Sequence, residues 1–163
     1  MSTLSVMLET PRGRVAILAC RVLVAVVFVW AGLPKLLDAA TFAEDISNYR
    51  LVPEALVGVL AVAVPVLELT VAAALLSGIE ARGAAVVAGM LLLGFTAGML
   101  QAMARGIDLS CGCFGAATDA KVGWPSVGRN VALVLASAIV VVAPHVPWRA
   151  RSGDGTAKDR SAP

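Results

Sequence analysis

Four long apolar runs, each about the length that crosses a bilayer, constrain this chain more than anything else in it. A helix rises about 1.5 Å per residue and needs about 20 apolar residues to span the hydrocarbon core. The runs extend from Val15 to Leu33, Ala55 to Ser77, Ala81 to Ala104 and Val127 to Ala143, with Pro34, Gly78 and Pro144 as stops. Val, Leu and Ala dominate all four, and as strands they are too long and too poor in turn signals. Of the 163 residues, 59% are hydrophobic and 15% charged, against about a quarter charged in a soluble domain. A small globule in water cannot hide so much apolar surface. The prediction is an all-α integral membrane protein of one domain: a four-transmembrane-helix bundle, up-down, with two longer extracytoplasmic loops. Residues 1–14 form an N-terminal segment, 15–148 the membrane domain, and 149–163 a polar tail that reads as disordered.

Charge sets the expected orientation. The net charge of +2 is small and makes no basic stripe, so nucleic acid is excluded as a partner. Basic residues cluster beside helix ends, where they orient spans with the positive side inward. Arg12, Arg14, Arg82, Arg149, Arg151, Lys158 and Arg160 fall on one side; Lys35, Arg50, Arg105, Lys121 and Arg129 fall on the other. This bias predicts a multi-pass protein of the cell membrane with both termini cytoplasmic. Arg12 and Arg14 ahead of an apolar stretch also resemble the opening of a signal peptide. The stretch before Cys20 is too short for that and continues beyond it, so the first helix is read as uncleaved. In the first outer loop, Phe42, Ile46 and Tyr49 are spaced to share one face of a short helix. Such a helix would lie along the membrane surface; a solvated turn is the alternative.

The second outer loop, from Arg105 to Ser126, carries Cys111-Gly112-Cys113. A disulfide needs Cα atoms about 4.4–6.8 Å apart, which two cysteines around one residue reach only with a strained backbone. Gly112 is the residue type best able to supply it. Strained, exposed disulfides are the labile ones, and closing so small a loop stabilises little. The spacing therefore favours electron exchange, with a static disulfide or unpaired thiols as the bland reading. Two thiolates also suit a soft metal, but no further ligand is near and the lone His145 falls at the opposite face, so no metal site is assigned. Cys20 reads as a small packing residue.

Two charges fall within the apolar runs. Arg21 and Glu68, counted from the inner ends of antiparallel helices, come out level, and the expectation is an intramembrane Arg21–Glu68 ion pair. Its role is either to fix helix register or to couple proton or electron transfer. Arg21, Phe28, Gly32 and Lys35 share the bundle-facing side of the first helix. Gly94 and Gly98 form a GxxxG that permits close helix approach. Arg129, near the cysteine loop, either stabilises a thiolate or anchors its helix at the headgroups.

Taken in order, Arg21, Ala31-Gly32, Lys35, Phe42, Tyr49, Pro65, Glu68, Arg105-Gly106, Cys111-Gly112-Cys113-Phe114-Gly115 and Arg129-Asn130 resemble the methylamine-utilisation MauE family, within the DoxX-like group of small four-helix membrane proteins. The Cys-Gly-Cys-Phe-Gly run is the most specific part. The resemblance implies a redox-associated membrane protein working beside a thioredoxin-like partner. In methylamine utilisation that work is maturation of a disulfide-rich dehydrogenase subunit, a substrate the resemblance does not carry over. The leading expectation is a thiol–disulfide oxidoreductase. Cys111 and Cys113 would exchange electrons with an extracytoplasmic thioredoxin-like or cysteine-rich protein, supported by Gly112, Phe114, Trp124 and Arg129. A quinone held near Phe114 and Trp124 extends this reading as an electron acceptor. The rivals are a non-catalytic assembly scaffold for a redox partner and a small transporter or metal-handling protein built on Arg21 and Glu68.

Overall fold

The computed structural model describes residues 10–105 and 124–143. Five helices occupy them: α1 (Pro11–Leu37), α2 (Ala39–Tyr49), α3 (Glu54–Ser77), α4 (Ala81–Ala104) and α5 (Trp124–Val142). Four of the five, all except α2, are long and apolar enough to span a membrane. The chain is a multi-pass helical membrane bundle, and among the described residues no strand occurs.

Helix ends follow local chemistry. Thr10 caps α1 by accepting the Gly13 N–H at 3.1 Å, and Pro11 opens the first turn, where its missing N–H has no cost. The expectation that Pro34 stops this helix is corrected. α1 continues to Leu37, because Pro34 lies in the last turn and its carbonyl still accepts the Asp38 N–H at 3.0 Å. The start of α5 is likewise earlier than Val127, since Pro125 is tolerated in a first turn. α3 ends at Gly78, whose φ of 77° lets its N–H return to the Ala74 carbonyl at 3.0 Å.

The four long helices form a ring in chain order. α1 packs along α3, α3 along α4, α4 along α5, and α5 returns to α1. Their shared core is Val24, Phe28, Leu75, Leu92 and Leu133, interleaved with Ala25, Ala72, Ala85, Ala88 and Ala136. Alanine brings helix axes close, the packing that stabilises helices where no hydrophobic drive between them exists. Leu23, Val26, Trp30, Val59, Met90 and Leu135 point outward and are exposed. Apolar residues on both faces of a helix identify its outer solvent as lipid.

Candidate functional site

The buried charges are arranged differently from the sequence expectation. Glu68 pairs with Lys35, Nζ to Oε1 at 2.8 Å, and both are sealed, at 1% and 3% residue exposure. The Arg21–Glu68 pair is a correction, and its cause is register. A Cβ on Gly32 would sit 3.1 Å from the Glu68 Cβ and 3.2 Å from Oε2, so Gly32 lies directly against Glu68. Eleven residues before Gly32, Arg21 is therefore about 16 Å away along the axis, level with the end of α3. Depth counted from Val15 failed because α1 starts at Pro11 and its first turns overhang α3.

Arg21 closes the end of α3 instead. Its Nε and Nη2 donate to the Leu75 carbonyl at 3.1 and 2.8 Å. That carbonyl is one of the last four of the helix, which have no donor within it, and a cation there also meets the negative end of the helix dipole. Gly78 makes room, since a Cβ on it would come within 2.9 Å of Nη2. Arg82 performs the same task for α5, donating to the Ala143 carbonyl at 2.6 Å.

Lys35 is reached from several sides. Three residues beyond Gly32, its side chain turns back toward the N-terminus of α1, the direction helical side chains take, and so meets Glu68. Its ammonium also stands 5.1 Å from the Phe42 ring centroid and 4.9 Å from that of Phe95, within the range for cation–π attraction. Lys35 was placed on the bundle-facing side by sequence but not recognised as the partner of Glu68. The signal was available: Gly32 one turn below it marks the point of closest helix approach.

Two cavities flank the pair. One, of about 30 Å³, is lined by Lys35, Glu68, Phe95, Arg129, Asn130 and neighbouring apolar side chains. Glu68 Oε2 is buried with no hydrogen-bond partner among the described residues. Asn130 is fixed nearby by donating to Thr96 Oγ1 at 3.3 Å, which in turn donates to the Leu92 carbonyl at 2.6 Å. The second cavity, about 210 Å³, opens from Lys35 and Phe95 toward α2. Phe42, Ile46 and Tyr49 do share one face of α2, and that face lines this cavity. Asp45 joins them there; burial and the adjacent Glu44 push its carboxyl above the ordinary range.

Of the other expected site residues, Trp124 is exposed at the start of α5 and Arg129 is half-buried one turn further on, beside Asn130. Cys111, Gly112, Cys113 and Phe114 lie outside the described residues, as does the 149–163 tail. The segment 106–123 that carries the cysteines joins α4 after Arg105 to α5 at Trp124. Its two ends therefore arise from the helices that contribute Phe95, Arg129 and Asn130.

A family model, Methylamine utilisation protein MauE, matches residues 13–143. The chain belongs to the MauE family. It is 36% identical over 130 residues to Methylamine utilization protein MauE of Paracoccus denitrificans, covering 79% of this chain and 69% of the relative. The MauE of Methylorubrum extorquens is 36% identical over 108 residues, 66% of this chain and 58% of the relative. That of Paracoccus versutus is 34% identical over 116 residues, covering 71% and 62%. This chain thus spans between about three-fifths and two-thirds of the length of these MauE relatives. No solved structure gives a significant match. The MauE-matched region contains the four long helices except the first two residues of α1, together with the Lys35–Glu68 pair and the cysteine segment.

Proposed function

We propose that this MauE-family protein is a membrane thiol–disulfide exchanger that supports disulfide formation in secreted proteins. Cys111 and Cys113 form the exchanging pair, on the extracytoplasmic side, and the partner is a thioredoxin-like or cysteine-rich protein. One observation carries the reading: the Cys-Gly-Cys segment is tethered at both ends to helices that converge on a sealed, charged centre. Purely structural use of so short a disulfide would contribute little stability.

The exchange conserves atoms and electrons. A thiolate of one protein attacks a disulfide sulfur of the other, and the displaced sulfur leaves as a thiolate. The second cysteine of the attacking pair then resolves the mixed disulfide, leaving one protein oxidised and the other reduced by two electrons. Arg129, near the junction of α5 with the loop, favours the thiolate form if it faces the pair. The methylamine link belongs to the named relatives; for this chain we carry over the accessory role in maturation and no particular substrate.

The test is trapping. Cells expressing a Cys113→Ser or Cys111→Ser variant are quenched in acid and alkylated. One of the two is expected to accumulate an adduct that collapses on reduction and contains the partner. Full maturation activity in the double Cys→Ser variant overturns the proposal and leaves a non-catalytic assembly role.

A further inference from the structure

The two glycines of the α4 GxxxG are not used for helix contact. Among the described residues, a Cβ on Gly94 would meet nothing within 4 Å, and one on Gly98 would touch only Leu51 Cδ1 at 3.6 Å. Both instead line the 210 Å³ cavity beneath α2. Glycine in a helix is disfavoured relative to alanine by about 1 kcal/mol, and an apolar void adds a further cost. Among the described residues, nothing packed on α4 asks for either.

We propose that this cavity holds the ring of a neutral, lipid-soluble carbonyl compound, a membrane quinone by class, with Lys35 donating to a carbonyl oxygen. Size is the first argument. An apolar cavity of about 150 Å³ accepts benzene, so about 210 Å³ accommodates one substituted six-membered ring, its hydrocarbon tail remaining in the lipid. The donor is the second. An ammonium has three N–H groups; Lys35 uses one on Glu68 Oε1 and makes no other hydrogen bond among the described residues. Charge is the third. Glu68 already compensates Lys35, and Asp45 borders the same cavity. An anionic headgroup meets that carboxylate, whereas a cationic one meets Lys35. A plain acyl chain fills the space but leaves the donors unmet. A flat, uncharged ring with carbonyl oxygens satisfies all three, and the Phe42 and Phe95 rings beside Lys35 supply aromatic surface to pack on.

Trp124 is not among the residues that line this cavity, and Phe114 lies outside the described residues. Ring binding stands apart from the thiol reading. Where that reading also holds, two thiols become a disulfide and the quinone takes up their two electrons and two protons as hydroquinone.

The test uses the full chain in lipid nanodiscs, with decylubiquinone as probe and decylbenzene as a carbonyl-free control. Saturable binding of the quinone and not of the control is expected. Gly94→Leu, which adds bulk to the cavity and leaves the Lys35 side chain unmutated, is expected to weaken quinone binding at least tenfold while thermal unfolding stays cooperative. Should that variant fail to fold, an azido-quinone photoprobe on the unmodified protein decides: labelling of peptides from α2 and α4 supports the site, and labelling elsewhere overturns it. Non-saturable binding, equal binding of both probes, or unchanged affinity in a folded Gly94→Leu also overturns it. The Cys111→Ser, Cys113→Ser double variant is expected to keep full binding, so loss of thiol exchange and loss of the ring site read out separately.

Discussion

Glu68 carries the sharpest consequences at the residue scale. Its carboxylate is sealed between Gly32 and Lys35, with one oxygen on the ammonium and the other without a partner among the described residues. Breaking a buried ion pair by removing one member leaves a charge with nothing to offset its desolvation, at a cost of about 3–5 kcal/mol, whereas replacing both by apolar groups is often neutral. Lys35→Met and Glu68→Leu are each expected to lower thermal stability strongly in detergent, and the double variant to recover most of it. Additive losses would show that the pair is not coupled. Gly32 belongs to the same unit. The atoms its Cβ would press include the Glu68 Cβ, which cannot swing aside as a flexible side-chain tip would. Gly32→Ala is expected to lower stability by about 1–3 kcal/mol, read in the same thermal assay.

At the scale of elements, α2 is the helix whose stability is most separable from the bundle. It has no fully buried residue and packs mainly on α3. Its start is fixed by Asp38, which accepts the Thr41 N–H at 3.1 Å and the Thr41 hydroxyl at 2.8 Å. Those hydrogen bonds hold the Asp38 carboxyl below its ordinary range. A carboxyl depressed in the folded state contributes stability above its unfolded value, about 3.9, and loses it as pH falls through the folded value. Hydrogen exchange in α2 is therefore expected to be faster in Asp38→Ala than in the unmodified protein at neutral pH. The two are expected to converge below about pH 4. A constant difference across that range would mean that Asp38 acts through something other than its charge. Because α2 covers the cavity beside Lys35, the same substitution is expected to speed entry of any ligand held there.

For the whole molecule, the two arginine caps lie at one end of the bundle and the Lys35–Glu68 pair lies within it. Arg21 on α3 and Arg82 on α5 satisfy helix C-termini at the end where α1 begins. The cysteine segment leaves from the opposite end. The positive-inside bias predicts that the arginine end faces the cytoplasm. Reporter fusions after residue 163 are expected to be active only with a cytoplasmic reporter, and membrane-impermeant maleimide to reach Cys111 and Cys113 from outside. Labelling only after the membrane is opened would invert the topology and remove the extracytoplasmic partner from the proposal.

The four spanning helices were legible in the sequence because spanning is a local property, set by the length of an apolar run. So were the end of α3 at Gly78 and the amphipathic spacing of Phe42, Ile46 and Tyr49, each decided within a few residues of chain. Which charge meets which was not local. Arg21 and Glu68 looked level because both were counted from helix ends, while the closest approach of α1 and α3 is set by Gly32 and Glu68 fitting together midway. That fit hands Glu68 to Lys35 and Arg21 to the Leu75 carbonyl. Gly94 and Gly98 make the same point in reverse: the spacing that permits a helix contact opens a cavity here, because among the described residues no neighbouring helix backbone closes on it. Sequence alone thus determined that the chain spans a membrane four times and where its cysteines lie along it. Only the packed bundle decided the partners of the buried charges, because a register shift of a few residues moves a side chain by more than the reach of an ion pair.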